Sequence, residues 1–321
     1  MEKEPNPTFV ILDGESFTVT KPKRLNFGMV LKSNDRPAYA RLGEKQATLE
    51  EQLHTISLGE RGFPVARVLG SGEHGNEWYF IEEDLGSVSF HDAFTNEYER
   101  TGMVSDETFS KFLTVLGRYL TAQYHPTNRT TISPRDFVDA AFPEHEVTGN
   151  YYRLGGDVDR YRAAINQAVA RLEGCPMGVL QFDLNPYNIV ERGVIDFEMV
   201  GYGPLGYDAY FVSRWHRWFT NDKTSNYRMA YSLSDNQIAA SDTIVDNLAR
   251  EHNLPPPAKY HQEFALIKTA WGFSSHASID DEPESKQAFY RYRFELLRQS
   301  VDAYLAGQPI DPLTFPDVHA A

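Results

Sequence analysis

Cysteine is almost absent: Cys175 is the single one in 321 residues. No intramolecular disulfide can form, so a reducing compartment fits, and Cys175 beside Gly174 and Pro176 reads as a packing residue. Apolar runs of the ~20 residues that span a bilayer are missing, and Met1-Glu2-Lys3-Glu4 lacks the character of a secretion signal. A soluble, cytoplasmic protein with no membrane partner is therefore expected. Positive charge is scarce as well: 31 Lys and Arg against 45 Asp and Glu give a formal net charge of −14. That balance argues against nucleic acid as the main partner, because phosphate backbones are met by basic patches. Histidine-rich ligand spacing, internal repeats and low-complexity tracts are also lacking, which speaks against a histidine-based metal hydrolase and a repeat architecture.

What is present is enough chain for a sizeable core and two lobes. Strand candidates open the sequence at 9–12, 17–20, 27–31 and 38–42, parted by turn residues at Asp13-Gly14, Pro22 and Asn34-Asp35-Arg36-Pro37. Together they read as an antiparallel sheet. A helix over 48–58 follows, with Leu49, Leu53 and Ile56 near helical spacing, and Gly62-Phe63-Pro64 ends it. Another strand begins at Val65, and the stretch from Trp78 to Gly86 runs out of the sheet. Beyond it the pattern is mainly helical. Ser105-Asp106-Glu107 starts a helix that reaches about His125, a second covers 157–172, and four more cover 209–219, 235–251, 258–271 and 283–306. The expected fold is α+β and bilobal, with an antiparallel-sheet lobe over 1–86 and a mainly helical lobe over 87–321.

The stretch from Val179 to Asp196 carries the chemistry. Ile189-Val190 and Val194-Ile195 flank Glu191-Arg192-Gly193, which reads as a tight hairpin with a three-residue, glycine-containing turn. Asn188 at its start and Asp196 at its end then lie side by side, with Asp183 on the loop leading in. Two carboxylates and an amide oxygen converging on one point suit Mg²⁺ carried on a phosphate. Asp or Asn alone in a loop most often makes local turn hydrogen bonds; the ordered set carries the signal.

This stretch resembles the catalytic core of the aminoglycoside phosphotransferase and choline kinase family, distant relatives of protein kinases. The family's loop reads His-Gly-Asp, four residues, then Asn, followed by a strand ending in Ile-Asp-Phe/Trp-Glu. Asp183, Asn188 and Val194-Ile195-Asp196-Phe197-Glu198 match it, and Gly201 to Asp208 is similar to the family's segment ending in Gly-x-Pro-x-x-Tyr-Asp. Gln181-Phe182 stand where the family has His-Gly. The resemblance implies a kinase-like fold and ATP-dependent transfer of a phosphoryl group to a hydroxyl of a small molecule. It makes Asp183 the base that orients the acceptor, and Asn188 and Asp196 the residues that hold Mg²⁺ on the nucleotide. Gln181 and Asp208 take supporting roles. In the first lobe it implies a basic residue tied to a helix carboxylate: Arg41 with Glu51, Lys32 being the rival. Main-chain groups over Glu82, Asp84 and Leu85 would hold the adenine edge. No glycine-rich phosphate loop is evident, and Lys21 to Asn26 occupies its place. Tyr207, Tyr210, Trp215, Trp218 and Trp271, with acids at Asp280, Asp281, Glu282 and Glu284, are candidates for acceptor recognition against a plain core or solvated role. The alternative is a catalytically impaired relative that binds nucleotide or regulates. Protein phosphorylation ranks low, since the His-Arg-Asp, Asp-Phe-Gly and Ala-Pro-Glu set is lacking.

Overall fold

The computed structural model describes residues 9–22, 28–142, 144–197, 199–218, 231–274 and 284–315. The chain opens with strands β1 (Phe9–Leu12), β2 (Glu15–Pro22), β3 (Met29–Ser33) and β4 (Ala38–Glu44). Helix α1 (Lys45–Glu60) follows, and then β5 (Val68–His74) and β6 (Glu77–Glu83). They form one antiparallel sheet in the order β1-β2-β3-β4-β6-β5. Alternation places Val10, Leu12, Phe17, Leu31, Ala40 and Leu42 on the buried face, as period-two patterning requires.

Helix α1 turns over a different face from the expected one. Leu53 and Ile56 are exposed, whereas Thr48, Glu51, Gln52, Thr55 and Leu58 are buried. The inner face is polar because it meets charged and polar partners on the sheet: Arg41, Ser71 through Gln52, and Trp78. Glu44 starts the helix by accepting from the amides of Gln46 and Ala47.

The remainder is mostly helical: α2 (Phe90–Thr101), α3 (Asp106–Tyr124), then, after the short β7 (Arg129–Thr130), α4 (Pro134–Ala141), α5 (Glu144–Arg153) and α6 (Val158–Arg171). Strand β8 (Met177–Leu180) enters the loop that carries Asp183, and the hairpin β9 (Ile189–Val190) and β10 (Gly193–Val194) leaves it. Strand β11 (Gly201–Pro204) returns beside β8, giving a three-stranded sheet in the order β11-β8-β7. Helices α7 (Tyr207–Trp218), α8 (Asp235–Glu251), α9 (His261–Ser274) and α10 (Glu284–Leu305) complete the described chain. None of the described helices is long and apolar enough to cross a membrane.

Gly193 pairs with Val190, so the hairpin loop is the two residues Glu191-Arg192 and not the three expected. Neither has positive φ. Glycine is needed here for space: a Cβ on Gly193 would lie 2.3 Å from the Pro64 carbonyl oxygen. Cys175 is buried, and burial pushes its thiol up to about 12, in keeping with a packing role.

Candidate active site

Strand β8 leads into Gln181, which is buried, and Asp183, which is half-buried. Its end is held by Asp208 in the first turn of α7. Asp208 Oδ2 accepts from the Tyr119 hydroxyl at 2.6 Å, the Gln181 amide at 3.1 Å and Gln123 Nε2 at 3.3 Å. Asp208 is therefore inside the helix and bonded to β8 and α3; it does not cap its own helix. Burial pushes its carboxyl up, and the bonds from Tyr119 and the Gln181 amide oppose that. Gln181 then reaches across the loop: its Nε2 donates to the carbonyls of Ile195 and Asp196 at 2.8 and 2.7 Å. The residue standing in the family's histidine position thus ties β8 to the backbone of Asp196.

Phe182 has φ +62, a left-handed conformation that costs a non-glycine residue roughly 1–2 kcal/mol. A glycine would adopt it freely. The Phe182 ring is buried, stacked on Phe137 at 5.8 Å, and lies over Gly201. Its bulk therefore fills core and stays off the Asp183 carboxylate.

Asp183 is 38 % exposed along its side chain. Its carbonyl accepts from Asn188 Nδ2 at 3.1 Å and from Asn185 Nδ2 at 2.8 Å, which closes the loop on itself. The Ile195 amide donates to the Asn188 carbonyl at 2.9 Å, so Asn188 and Asp196 sit on opposite strands of one hairpin end. Asp196 has φ +67. Burial raises the Asp183 carboxyl, Lys268 opposes it, and the Asp196 charge adds to it.

On the sheet, Arg41 is buried between two acids. Its Nη1 lies 3.3 Å from Glu51 Oε1 and its Nε 2.8 Å from Glu82 Oε1. Burial works against the Arg41 charge, but Glu82, Glu51 and Asp196 more than offset it and hold its pKa up. Lys32 is exposed on β3 beside the Tyr39 ring. Glu82 does not belong to the connection between the sheet and the helices. It pairs with Tyr39 and Val68 inside the sheet, and its side chain turns to Arg41. The connection starts at Asp84, whose amide donates to the Pro37 carbonyl at 3.0 Å. The Leu85 carbonyl accepts from the Arg192 amide at 2.9 Å, and the Pro64 carbonyl from the Val194 amide at 2.8 Å. The first bond ties this crossing to the hairpin and the second ties the loop between α1 and β5 to it; the Asp84 amide and Leu85 carbonyl are already engaged.

A family model described as the phosphotransferase enzyme family matches residues 13–237. The chain belongs to this family. Comparison with curated protein sequences gives no match. Among solved structures, this phosphotransferase is similar to a thermostable mutant of aminoglycoside phosphotransferase APH(4)-Ia in complex with ADP and hygromycin B. That match has TM-score 0.55 and 13% identity, over 90% of this chain and 93% of the other. An aminoglycoside-3'-phosphotransferase of type VIII matches with TM-score 0.53 and 15% identity, over 81% and 94%. A choline/ethanolamine kinase family protein from Mesorhizobium loti matches with TM-score 0.53 and 11% identity, over 90% and 91%. These likenesses show the kinase-like fold.

Of the aromatic residues considered for acceptor recognition, Tyr207, Tyr210, Trp215 and Trp218 are buried in the core of the phosphotransferase, and Trp271 is half-buried. Residues 23–26, Glu198 and the acids 280–282 lie outside the described residues, as does the side chain of Glu284. One site neighbour was not foreseen. Lys268 Nζ donates to the Phe182 carbonyl at 2.7 Å and lies 3.6 Å from Asp183 Oδ1. The available signal was a lysine inside the run Phe264-Ala265-Leu266-Ile267-Lys268-Thr269-Ala270-Trp271, since a charge on a buried helix requires a partner.

Proposed function

We propose that this phosphotransferase moves the γ-phosphoryl group of ATP, bound with Mg²⁺, to a hydroxyl of a small molecule such as an aminoglycoside, an amino alcohol or a sugar. The observation that carries the reading is the hydrogen-bonded loop that links Asp183, Asn188 and Asp196: Asn188 Nδ2 donates to the Asp183 carbonyl, the Ile195 amide to the Asn188 carbonyl, and Gln181 Nε2 to the Asp196 carbonyl. Arg41, the cation suited to phosphate, is held on the sheet by Glu51 and Glu82.

Among the described residues no group of three His, Cys, Asp or Glu could hold a metal. Magnesium on nucleotide phosphates takes only one or two protein oxygens. The Asp196 carboxylate receives no hydrogen bond among the described residues, and Asn188 Nδ2 is spent on the Asp183 carbonyl, which leaves Oδ1 as the accepting atom. This hard-oxygen pair fits, and Asn188 with Asp196 would hold the ion. When bound, it offsets the charge on the β- and γ-phosphate oxygens. Arg41, braced by Glu51, aligns the phosphates. Asp183 orients the acceptor and takes its hydroxyl proton as that oxygen bonds to the γ-phosphorus. The bond from the γ-phosphorus to the bridging oxygen breaks, and its electron pair leaves with ADP. Positioning and fixed charges supply most of the acceleration in such chemistry.

A panel of alcohols, sugars and amino alcohols incubated with ATP and Mg²⁺, read by mass for the gain of one phosphate, tests the reading. Turnover should vanish in Asp196→Ala, and Asp183→Asn should lose turnover while still binding nucleotide. Unchanged ATP consumption in Asp196→Ala would refute it. A nucleotide-dependent thermal shift without transfer to any of the panel would instead favour the impaired relative.

A further inference from the structure

We infer that Lys268 is a positioning residue for Asp183, supplied to the functional loop from α9. The inference deepens the proposed phosphotransfer and rests on it. Lys268 is 8 % exposed along its side chain, and its ammonium has four neighbours among the described residues. It donates to the Phe182 carbonyl at 2.7 Å, faces Asp183 Oδ1 at 3.6 Å, and lies 3.8 Å from the centroid of the Trp271 ring. The Phe211 ring is 5.4 Å away on another side.

Each contact does something separate. Phe182 holds a left-handed backbone, so the peptide that follows it needs an external anchor, and the bond to its carbonyl provides one. The charge next to Asp183 favours the ionised carboxylate, the form that can accept a hydroxyl proton, against the burial and the Asp196 charge that disfavour it. The Trp271 face sets the height of the ammonium under the loop through a cation–π contact, which is stronger where water is excluded. The contacts just named hold the ammonium at the Phe182 carbonyl and the Asp183 carboxylate. Its action on the reaction passes through Asp183.

The test uses the full chain with Lys268→Met, Lys268→Gln and Lys268→Arg. ADP formation from Mg·ATP with water as acceptor, Mg·ATP affinity by titration calorimetry, and hydrogen exchange of the amides over 181–185 are measured for each. Lys268→Met and Lys268→Gln should slow ADP formation at least about 30-fold, with the affinity changed less than about twofold, as expected for an interaction used after binding. Exchange over 181–185 should become faster, and Lys268→Arg should recover most of the rate. Lys268→Gln keeps a donor for the Phe182 carbonyl and serves if Lys268→Met does not fold. Turnover within about threefold of the unmodified chain, or lost turnover that tracks lost nucleotide affinity, would overturn the inference. If the unmodified chain forms no ADP with water, the rates are compared with an acceptor from the panel; if no acceptor serves either, the phosphotransfer reading fails, while the exchange measurement still decides whether Lys268 holds the loop. Unchanged exchange then counts against it.

Discussion

Replacing Gly201 by alanine should disturb Asp183 from a distance, through the ring of Phe182. A Cβ at Gly201 would stand 2.5 Å from Phe182 Cε2, and the three atoms nearest to it all belong to that ring. The ring is wedged against Phe137 and cannot move freely. Overpacking of this kind costs about 1–3 kcal/mol. Phe182→Gly should also destabilise: removing a buried phenyl ring costs about 3–5 kcal/mol. Relief of the left-handed strain at φ +62 returns roughly 1–2 kcal/mol of that. In the double variant the clash has no partner, so the alanine adds almost nothing. Urea unfolding of the two single variants and the double therefore forms a cycle with a favourable coupling of about 1–3 kcal/mol. Losses that add to within about 0.5 kcal/mol would show that Gly201 and Phe182 do not meet and that the ring is not held off the Asp183 carboxylate in this way.

Arg41→Met leaves the Glu51 and Glu82 carboxylates buried without their shared cation, so urea unfolding at neutral pH should show a loss of about 3–5 kcal/mol. Arg41→Lys keeps the charge and should lose less; a loss under about 1 kcal/mol for the methionine variant would contradict the buried triad. Lys268 gives a pH signature. Burial lowers its pKa from 10.5 to about 8, against the pull of Asp183 and Asp208. The folded chain thus releases this proton before the unfolded chain does, so the group costs stability below pH 8, and that cost fades as pH rises from 8 towards 10.5. Stability of the unmodified chain relative to Lys268→Met should therefore climb by up to about 3 kcal/mol across that window. A flat difference between the two would rule the depressed amine out.

Much of the fold could be read from the sequence because local rules and tertiary demands agree. The strands of the first sheet alternate and are parted by turn residues, and Ser105 and Asp157 stand at the starts of α3 and α6 as side-chain caps should. Helix α8 spans the range expected for it. Helix α1 shows where the reading breaks down. Leu49, Leu53 and Ile56 mark an apolar stripe, yet the side that is buried carries Glu51, because an arginine on β4 requires a carboxylate there. Helices α2, α4 and α5 were not foreseen. Among the candidate site residues, Asp183, Asn188 and Asp196 are singled out by their order along one loop, and the hydrogen bonds of that loop link them. Lys268 was missed because it lies 86 residues from the carbonyl it binds, and no local spacing encodes that contact. The second acid on Arg41 was missed for the same reason: Glu82 lies 41 residues away and was read only for its main chain.

The bonds from Arg192 to the Leu85 carbonyl and from Val194 to the Pro64 carbonyl give the molecule an axle. One bond lies on the crossing from the sheet to the helices and the other on the loop between α1 and β5, so two segments of the first lobe are stitched to the same β-ribbon, and Asn188 and Asp196 flank it. If the halves swing apart to admit a nucleotide, the rotation passes through that ribbon. Asn188 and Asp196 then travel on one ribbon, joined through the bond from the Ile195 amide to the Asn188 carbonyl, and under the proposed reading a loading motion need not part them.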